Sequence, residues 1–71
     1  MSKAQLTFVV FVLYQLADAW GMSVPQVYGR LQKAGVLDSY IISFYDVLHT
    51  MGAKSLVEDI TDVVKAREAA Q

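Results

Sequence analysis

The apolar residues of this chain recur at intervals of three and four, the spacing that places side chains on one face of an α-helix. Glycines at Gly21, Gly35 and Gly52 divide the pattern into four segments. No segment shows the strict alternation of apolar and polar residues that is typical of a half-buried strand. The sequence therefore predicts one all-α domain spanning residues 1–71, a compact bundle of four short helices at about 3–20, 24–34, 38–51 and 55–69.

Two capping motifs support these boundaries. Ser23 with Gln26, and Ser55 with Glu58, have the spacing of a capping box, in which each side chain satisfies a free backbone N–H of the first turn. We expect the second helix to begin after Ser23 and the fourth to begin after Ser55.

The third helix has weaker end signals. Asp38 is a candidate N-cap, and Gly52 is expected to end the helix because glycine adopts a positive φ without strain. Gly29, in the middle of the second helix, is interpreted as a site of close helix packing. The residues near Gly52 form a predicted polar corner of His49, Thr50, Lys54 and Asp59.

The first helix is apolar almost all round. One stripe is expected to be buried: Leu6, Val9, Val10, Leu13, Leu16, Ala17 and Trp20. Most of the remaining surface is also apolar and comprises Phe8, Phe11, Val12 and Tyr14. Three short helices can hardly surround a fourth, so we expect these four residues to contact another chain. The partner is expected to be a second copy or a different protein, with the polar corner adding specificity.

Composition restricts the chemistry. The 71 residues include no cysteine and one histidine, 55% are hydrophobic, and the formal net charge is −1. His49 with Asp46 is the one candidate catalytic pair. A protonated histidine near a helix C-terminus also stabilises the helix through its dipole, so this position does not require a catalytic role. Glu58, Asp59 and Asp62 are interpreted as a solvated acidic face. We expect no catalytic residue, no metal site and no cofactor.

The sequence also has features of two other classes of protein. The segment from Ser23 to Tyr40 has the outline of a helix-turn-helix, but Arg30 and Lys33 are too few to neutralise several phosphates. A small helix-turn-helix-like regulator that binds nucleic acid is therefore the less favoured alternative.

The apolar run from Leu6 to Leu16 is shorter than the about 20 residues that a bilayer requires. A signal peptide ending near Ala17–Ala19 is disfavoured because its loss would deplete the core, so we expect a cytoplasmic protein with no membrane contact.

The stretch YDVLHTMGAKSLVEDI, residues 45–60, resembles the signature of a bacterial family catalogued as domain of unknown function 3791. That signature reads tyrosine-x-x-leucine-histidine-threonine-x-glycine, then an apolar stretch, an acidic pair and isoleucine. The matching positions are Tyr45, Leu48, His49, Thr50, Gly52, Val57, Glu58, Asp59 and Ile60. Upstream, the resemblance continues through Val27, Tyr28, Leu31, Gly35, Leu37 and Ile41. The first helix is richer in phenylalanine and valine than the family pattern.

The resemblance implies a small binding protein. Members of the family are uncharacterised, and they are often encoded beside a second family that resembles ADP-ribosyltransferases. Such pairing implies an antitoxin-like role or another two-component arrangement, with this chain as the small non-catalytic partner. This implication concerns gene neighbourhood and gives no mechanism.

Overall fold

The computed structural model describes residues 1–70, and every regular element in that range is helical. The elements are α1 (Lys3–Trp20), α2 (Val24–Lys33), a π-helix (Leu37–Ile42), α3 (Tyr45–Leu48) and α4 (Ala53–Ala70). The all-α bundle predicted from the sequence is confirmed. Its third predicted helix, however, is two separate elements.

Caps at both ends define α1. Ser2 Oγ accepts a hydrogen bond from the Gln5 N–H at 3.1 Å, and the Ser2 N–H donates to Gln5 Oε1 at 2.8 Å. At the other end Gly21 has a φ of 64°, and its N–H bonds to the Ala17 carbonyl. The chain then turns by 103° into α2. The turn ends in the capping box of Ser23 and Gln26, which is present as predicted.

Every element contributes to one core. Its buried members are Val9, Val12, Leu13, Leu16, Val27, Leu31, Ala34, Val36, Leu37, Ile41, Leu48, Leu56, Ile60 and Val64. On α1 the buried residues have spacings of three, four and seven, which define the inner face of the helix. This core leaves the opposite face of α1 without a covering element.

The prediction of one continuous helix over residues 38–51 is wrong. The backbone forms a π-helix over Leu37–Ile42, is not helical at Ser43 and Phe44, and resumes as α3. Serine hydroxyls that bond to backbone carbonyls compete with regular helix bonding. Ser43 Oγ donates to the Asp38 carbonyl five residues earlier, at 2.7 Å, and Ser39 Oγ donates to the Gly35 carbonyl.

This break alters the positions of two residues near it. Asp38 is not an N-cap, because the π-helix begins after Val36 and has no side-chain cap. Phe44 would share the buried face with Ile41 and Leu48 in an uninterrupted helix, but it is turned outward and is 51% exposed. It makes a tilted ring contact with Tyr40.

Three other local predictions also need correction. Gly52 does not have a positive φ; among residues 1–70 that conformation occurs at Gly21 and Gly35. Since α4 begins at Ala53, Ser55 lies inside its first turn and is not its N-cap. At Gly29 an added Cβ would meet no atom within 4 Å, so close packing does not explain this glycine.

Side-chain bonds hold α4 against the rest of the bundle. Trp20 Nε1 donates to Thr61 Oγ1 at 2.9 Å, and Arg67 Nη1 donates to the Gly35 carbonyl at 2.7 Å. Arg30 pairs with Glu68 through two hydrogen bonds of 2.9 Å. The polar segment after Val64 is helical to Ala70 and is bonded to α2 and to the corner that follows α2.

No single helix in residues 1–70 is long and apolar enough to cross a membrane. The bent pair α1 and α2 meets the requirement by combined length and composition only.

Candidate interaction surface

The outer face of α1 carries four large apolar side chains in contact with solvent. Leu6 is 53% exposed, Val10 and Phe11 are each 43% exposed, and Tyr14 is 63% exposed. Leu6, Val10 and Tyr14 follow one another at intervals of four, and neighbouring positions on a helix surface are three or four residues apart. These four residues, called here the outer face of α1, form one continuous apolar strip.

The predicted contact residues of α1 have different environments. Phe11 and Tyr14 belong to the outer face as expected. Phe8 is half-buried and packs edge-on against the Tyr45 ring, with 5.4 Å between centroids. Val12 is 1% exposed and lies in the core, so the expectation that it contacts a partner is wrong.

Sequence reasoning missed Leu6 and Val10, which it assigned to the buried stripe. The available signal was the position of the two charged residues of α1, Lys3 and Asp18. Both are exposed, and Val10 lies between them on the same side of the helix.

An open cleft of about 680 Å³ adjoins the outer face where α1 meets α3. It is lined by Lys3, Ala4, Thr7, Phe8, Phe11, Tyr45 and His49. The His49 ring stacks on the Tyr45 ring at 4.5 Å between centroids and 8° between planes. Its Nδ1 lies 2.7 Å from the Tyr45 carbonyl oxygen, which can only accept, so Nδ1 carries the proton in this contact. The cleft thus joins the apolar strip to an exposed imidazole.

The four residues of the predicted polar corner do not act as one group in the structure. Thr50 Oγ1 donates to the Val47 carbonyl at 2.7 Å, and Lys54 is exposed in the first turn of α4. Asp59 is half-buried and accepts a hydrogen bond from the Tyr40 hydroxyl. Within residues 1–70 no hydrogen bond or ion pair joins Asp59 to His49.

Tyr40 and Asp59 form a contact that strongly perturbs the pKa of the tyrosine. The hydrogen bond to Asp59, with partial burial and the carboxylate charge, raises the pKa of Tyr40 to about 12. Because Tyr40 is in the π-helix and Asp59 is in α4, this bond fixes the segment that leads into α3. It therefore holds in place the element that supplies the outer wall of the cleft.

Arg30, the main cation of the helix-turn-helix alternative, is occupied within the molecule. Its guanidinium bonds to Glu68 and lies 4.5 Å from the centroid of the Trp20 ring. The ion pair raises the pKa of Arg30 and lowers the pKa of Glu68. A phosphate group would have to compete with both contacts.

In the described part of the chain, no hydrogen bond or ion pair joins Asp46 to His49. Residues 1–70 contain no group of three or more histidine or acidic side chains that could hold a metal ion.

Taken together, the fold and the surface define a class: a small helical bundle with one helix face left apolar and uncovered. The sequence profile of the family described as protein of unknown function DUF3791 matches residues 7–67, so the chain belongs to that family. The match runs from the first turns of α1 to the last turns of α4. Comparisons with curated proteins and with solved structures gave no match.

Proposed function

We propose that this protein is a non-catalytic protein-interaction module whose contact surface is the outer face of α1. The observation that carries the proposal is the exposure of Leu6, Val10, Phe11 and Tyr14, between 43% and 63%, on a helix whose opposite face is buried. A contiguous apolar strip of this kind on a small domain is typical of an interaction site.

The apolar strip is large enough to dominate the affinity. The exposed fractions of the four side chains add up to about two whole side chains. At about 1.5–3 kcal/mol for each side chain buried, covering them contributes about 3–6 kcal/mol. An exposed ion pair contributes only about 0–1 kcal/mol. Since association itself costs about 4–15 kcal/mol, the partner must bring an apolar surface of similar size.

The biological setting that we propose follows from the family. This chain would be the small binding member of a two-component system, antitoxin-like, whose larger member is a neighbouring protein that resembles ADP-ribosyltransferases. The outer face of α1 would make the apolar contact, and the cleft beside it, with His49 at its edge, would add polar contacts. The proposed compartment is the cytoplasm.

A pair of matched substitutions tests the contact surface. Val10→Asp places a charge on the outer face, whereas Val47→Asp makes the same change on α3, where Val47 is 63% exposed. We expect Val10→Asp to weaken self-association or binding to the neighbouring protein by at least about tenfold, because the carboxylate must be desolvated. Val47→Asp should leave binding unchanged. Sedimentation equilibrium and calorimetric titration measure the two kinds of association.

At dilutions where the chain is monomeric, the free energy of unfolding of both variants should lie within about 0.5 kcal/mol of the wild-type value, since both valines are at the surface. A wild-type chain that is strictly monomeric and does not bind the neighbouring protein would refute the proposal. Equal binding by wild type and Val10→Asp would refute it as well.

The nucleic-acid alternative has its own test. A regulator that contacts several phosphates would be retained on DNA at low salt and released steeply as salt rises. The contacts of Arg30 with Glu68 and Trp20 do not favour this alternative. Absence of retention at low salt would remove it.

A further inference from the structure

We infer that the occupant of the outer face of α1 is a second copy of this chain, with the two α1 helices antiparallel and a two-fold axis between Val10 and Phe11. This inference rests on the proposed interaction function and names the partner and its orientation. It is carried by three features of α1: the position of its charges, the register of its exposed residues and the direction of its dipole.

The charges of α1 lie at opposite ends of its outer side. Lys3 and Asp18 are the only charged residues of the helix, and both are exposed. Neither forms an ion pair with any residue among 1–70. The surface is therefore positive at one end, apolar in the middle and negative at the other end.

Such a surface is complementary to itself when one copy is reversed. Lys3 and Asp18 are fifteen positions apart, about 22 Å along the helix. Their midpoint falls between Val10 and Phe11, next to Val10, which is the middle position of the exposed apolar strip from Leu6 to Tyr14. A two-fold axis there places Lys3 opposite Asp18 of the second copy, and Val10 opposite Phe11. A two-fold interface uses the same patch on both subunits, so each of these contacts occurs twice.

The parallel orientation lacks this match. It would place Lys3 opposite Lys3 and Asp18 opposite Asp18, and like charges directly opposite each other are unfavourable. The arrangement of charges thus selects one of the two ways in which the strips could pair.

The helix dipole favours the same orientation. The N-terminus of a helix is partially positive and the C-terminus partially negative. Lys3 is in the first turn and Asp18 is in the last turn, so each charge is at the end that its own helix disfavours. In an antiparallel pair Asp18 of the second copy approaches the N-terminus of α1, and Lys3 of the second copy approaches the C-terminus. Charges that are unfavourable in one copy are therefore favourable across the pair.

Charge reversal gives a test in which two effects have opposite signs. Lys3→Glu and Asp18→Lys each turn both intermolecular attractions into repulsions, so each should weaken dimerisation by about tenfold. Each also gives α1 a charge that suits its own dipole, so each should raise the Tm of the dilute monomer by about 1–8 °C. Loss of folding therefore cannot explain a loss of dimer.

The double variant Lys3→Glu/Asp18→Lys restores opposite charges across the pair and should dimerise as the wild type does. An equimolar mixture of the two single variants should form heterodimers. Lys65→Glu and Asp62→Lys are matched controls, because they make the same changes of charge at exposed sites on α4. Both controls should dimerise as the wild type does. The measurement is sedimentation equilibrium at low ionic strength, at chain concentrations up to about 1 mM.

Each outcome decides one statement. A wild type that is monomeric up to about 1 mM overturns the second copy as occupant, while binding of the neighbouring protein that Val10→Asp abolishes would leave the proposed function intact. Wild-type dimerisation by both single variants overturns the antiparallel register. Weak dimerisation by the single variants, with recovery in the double variant, supports the inference.

Discussion

Replacing Tyr40 with phenylalanine removes one hydroxyl group and tests how firmly the π-helix is held to α4. The hydroxyl donates to the carboxylate of Asp59, and Asp59 is half-buried. The substitution keeps the aromatic ring, which is in contact with Phe44. It therefore isolates the hydrogen bond from the packing of the ring.

The magnitude follows from the pKa of Tyr40, which is raised from 10.0 to about 12. A rise of about two pH units corresponds to about 2.7 kcal/mol of preference for the protonated form in the folded state. Both side chains keep some contact with water, so screening reduces this figure, and we expect Tyr40→Phe to cost about 1–2 kcal/mol near neutral pH. For a domain of this size the Tm should fall by about 4–16 °C.

The pH dependence has a definite sign. A pKa that is higher in the folded state means that the folded state holds the phenolic proton more tightly. The stabilisation is fully present below pH 10 and is lost as the pH rises from 10.0 towards about 12. Wild-type stability should decrease over this interval, and the decrease should be smaller in Tyr40→Phe.

Equilibrium urea unfolding near neutral pH measures the free-energy difference, and the ultraviolet absorbance of tyrosinate measures the titration. Tyr28→Phe is the matched control, because Tyr28 is exposed and its hydroxyl accepts a hydrogen bond from Gln32 on the same helix. That control should change the free energy of unfolding by less than about 0.5 kcal/mol. A Tyr40→Phe protein as stable as the control, or a wild type whose four tyrosines all titrate near pH 10, would refute this reasoning.

Two further predictions concern the glycines and the α2–α4 ion pair. Gly29→Ala should stabilise the protein by about 1 kcal/mol, because Gly29 lies inside α2 and an added Cβ meets no atom within 4 Å. Gly21→Ala is its control: space is equally open there, but the φ of 64° makes alanine destabilising by about 1–2 kcal/mol. Urea unfolding that gives both variants the same sign would contradict this reasoning. Arg30 lowers the pKa of Glu68 from 4.5, so the pair stabilises the fold above pH 4.5 and this contribution is lost as the pH falls below that value. In Glu68→Gln the free energy of unfolding should therefore fall less steeply below pH 4.5 than in the wild type. If urea unfolding gives the same pH dependence for both proteins, the ion pair does not contribute to stability.

The parts of the fold that were predictable are those governed by local rules. The capping box at Ser23 and Gln26 and the end of α1 at Gly21 follow from the residue types and their spacing, and both are present. The helical type of the three longest elements, α1, α2 and α4, follows from the period of the apolar residues. These features need no knowledge of the distant chain.

The π-helix could not be predicted because it depends on contacts between distant residues. The Gly35 carbonyl accepts from Ser39 and from Arg67, which is 32 residues away in sequence. The pattern of Leu37, Ile41 and Leu48 fits a continuous helix equally well, so periodicity does not distinguish the two structures. The serines at 39 and 43 were the local signal for the break.

Only part of the candidate site was predictable, because the orientation of α1 also depends on contacts between residues distant in sequence. The surplus of apolar surface on α1 was visible in the sequence, and two of its exposed residues, Phe11 and Tyr14, were identified. Which side of a nearly all-apolar helix faces inward depends on α2 and α4. Val12 was therefore placed outside, and Leu6 and Val10 were placed inside.

The bonds from the end of α4 have a practical consequence for choosing where the domain ends. Hydrophobic patterning alone would draw the boundary at Val64, the last buried residue of the core. Arg67 and Glu68 lie beyond that point, yet they connect α4 to Gly35 and Arg30. A fragment cut after Val64 would retain every buried core residue but would lose the bonds from Arg67 to Gly35 and from Arg30 to Glu68. Polar residues therefore decide how much of α4 the stable domain requires.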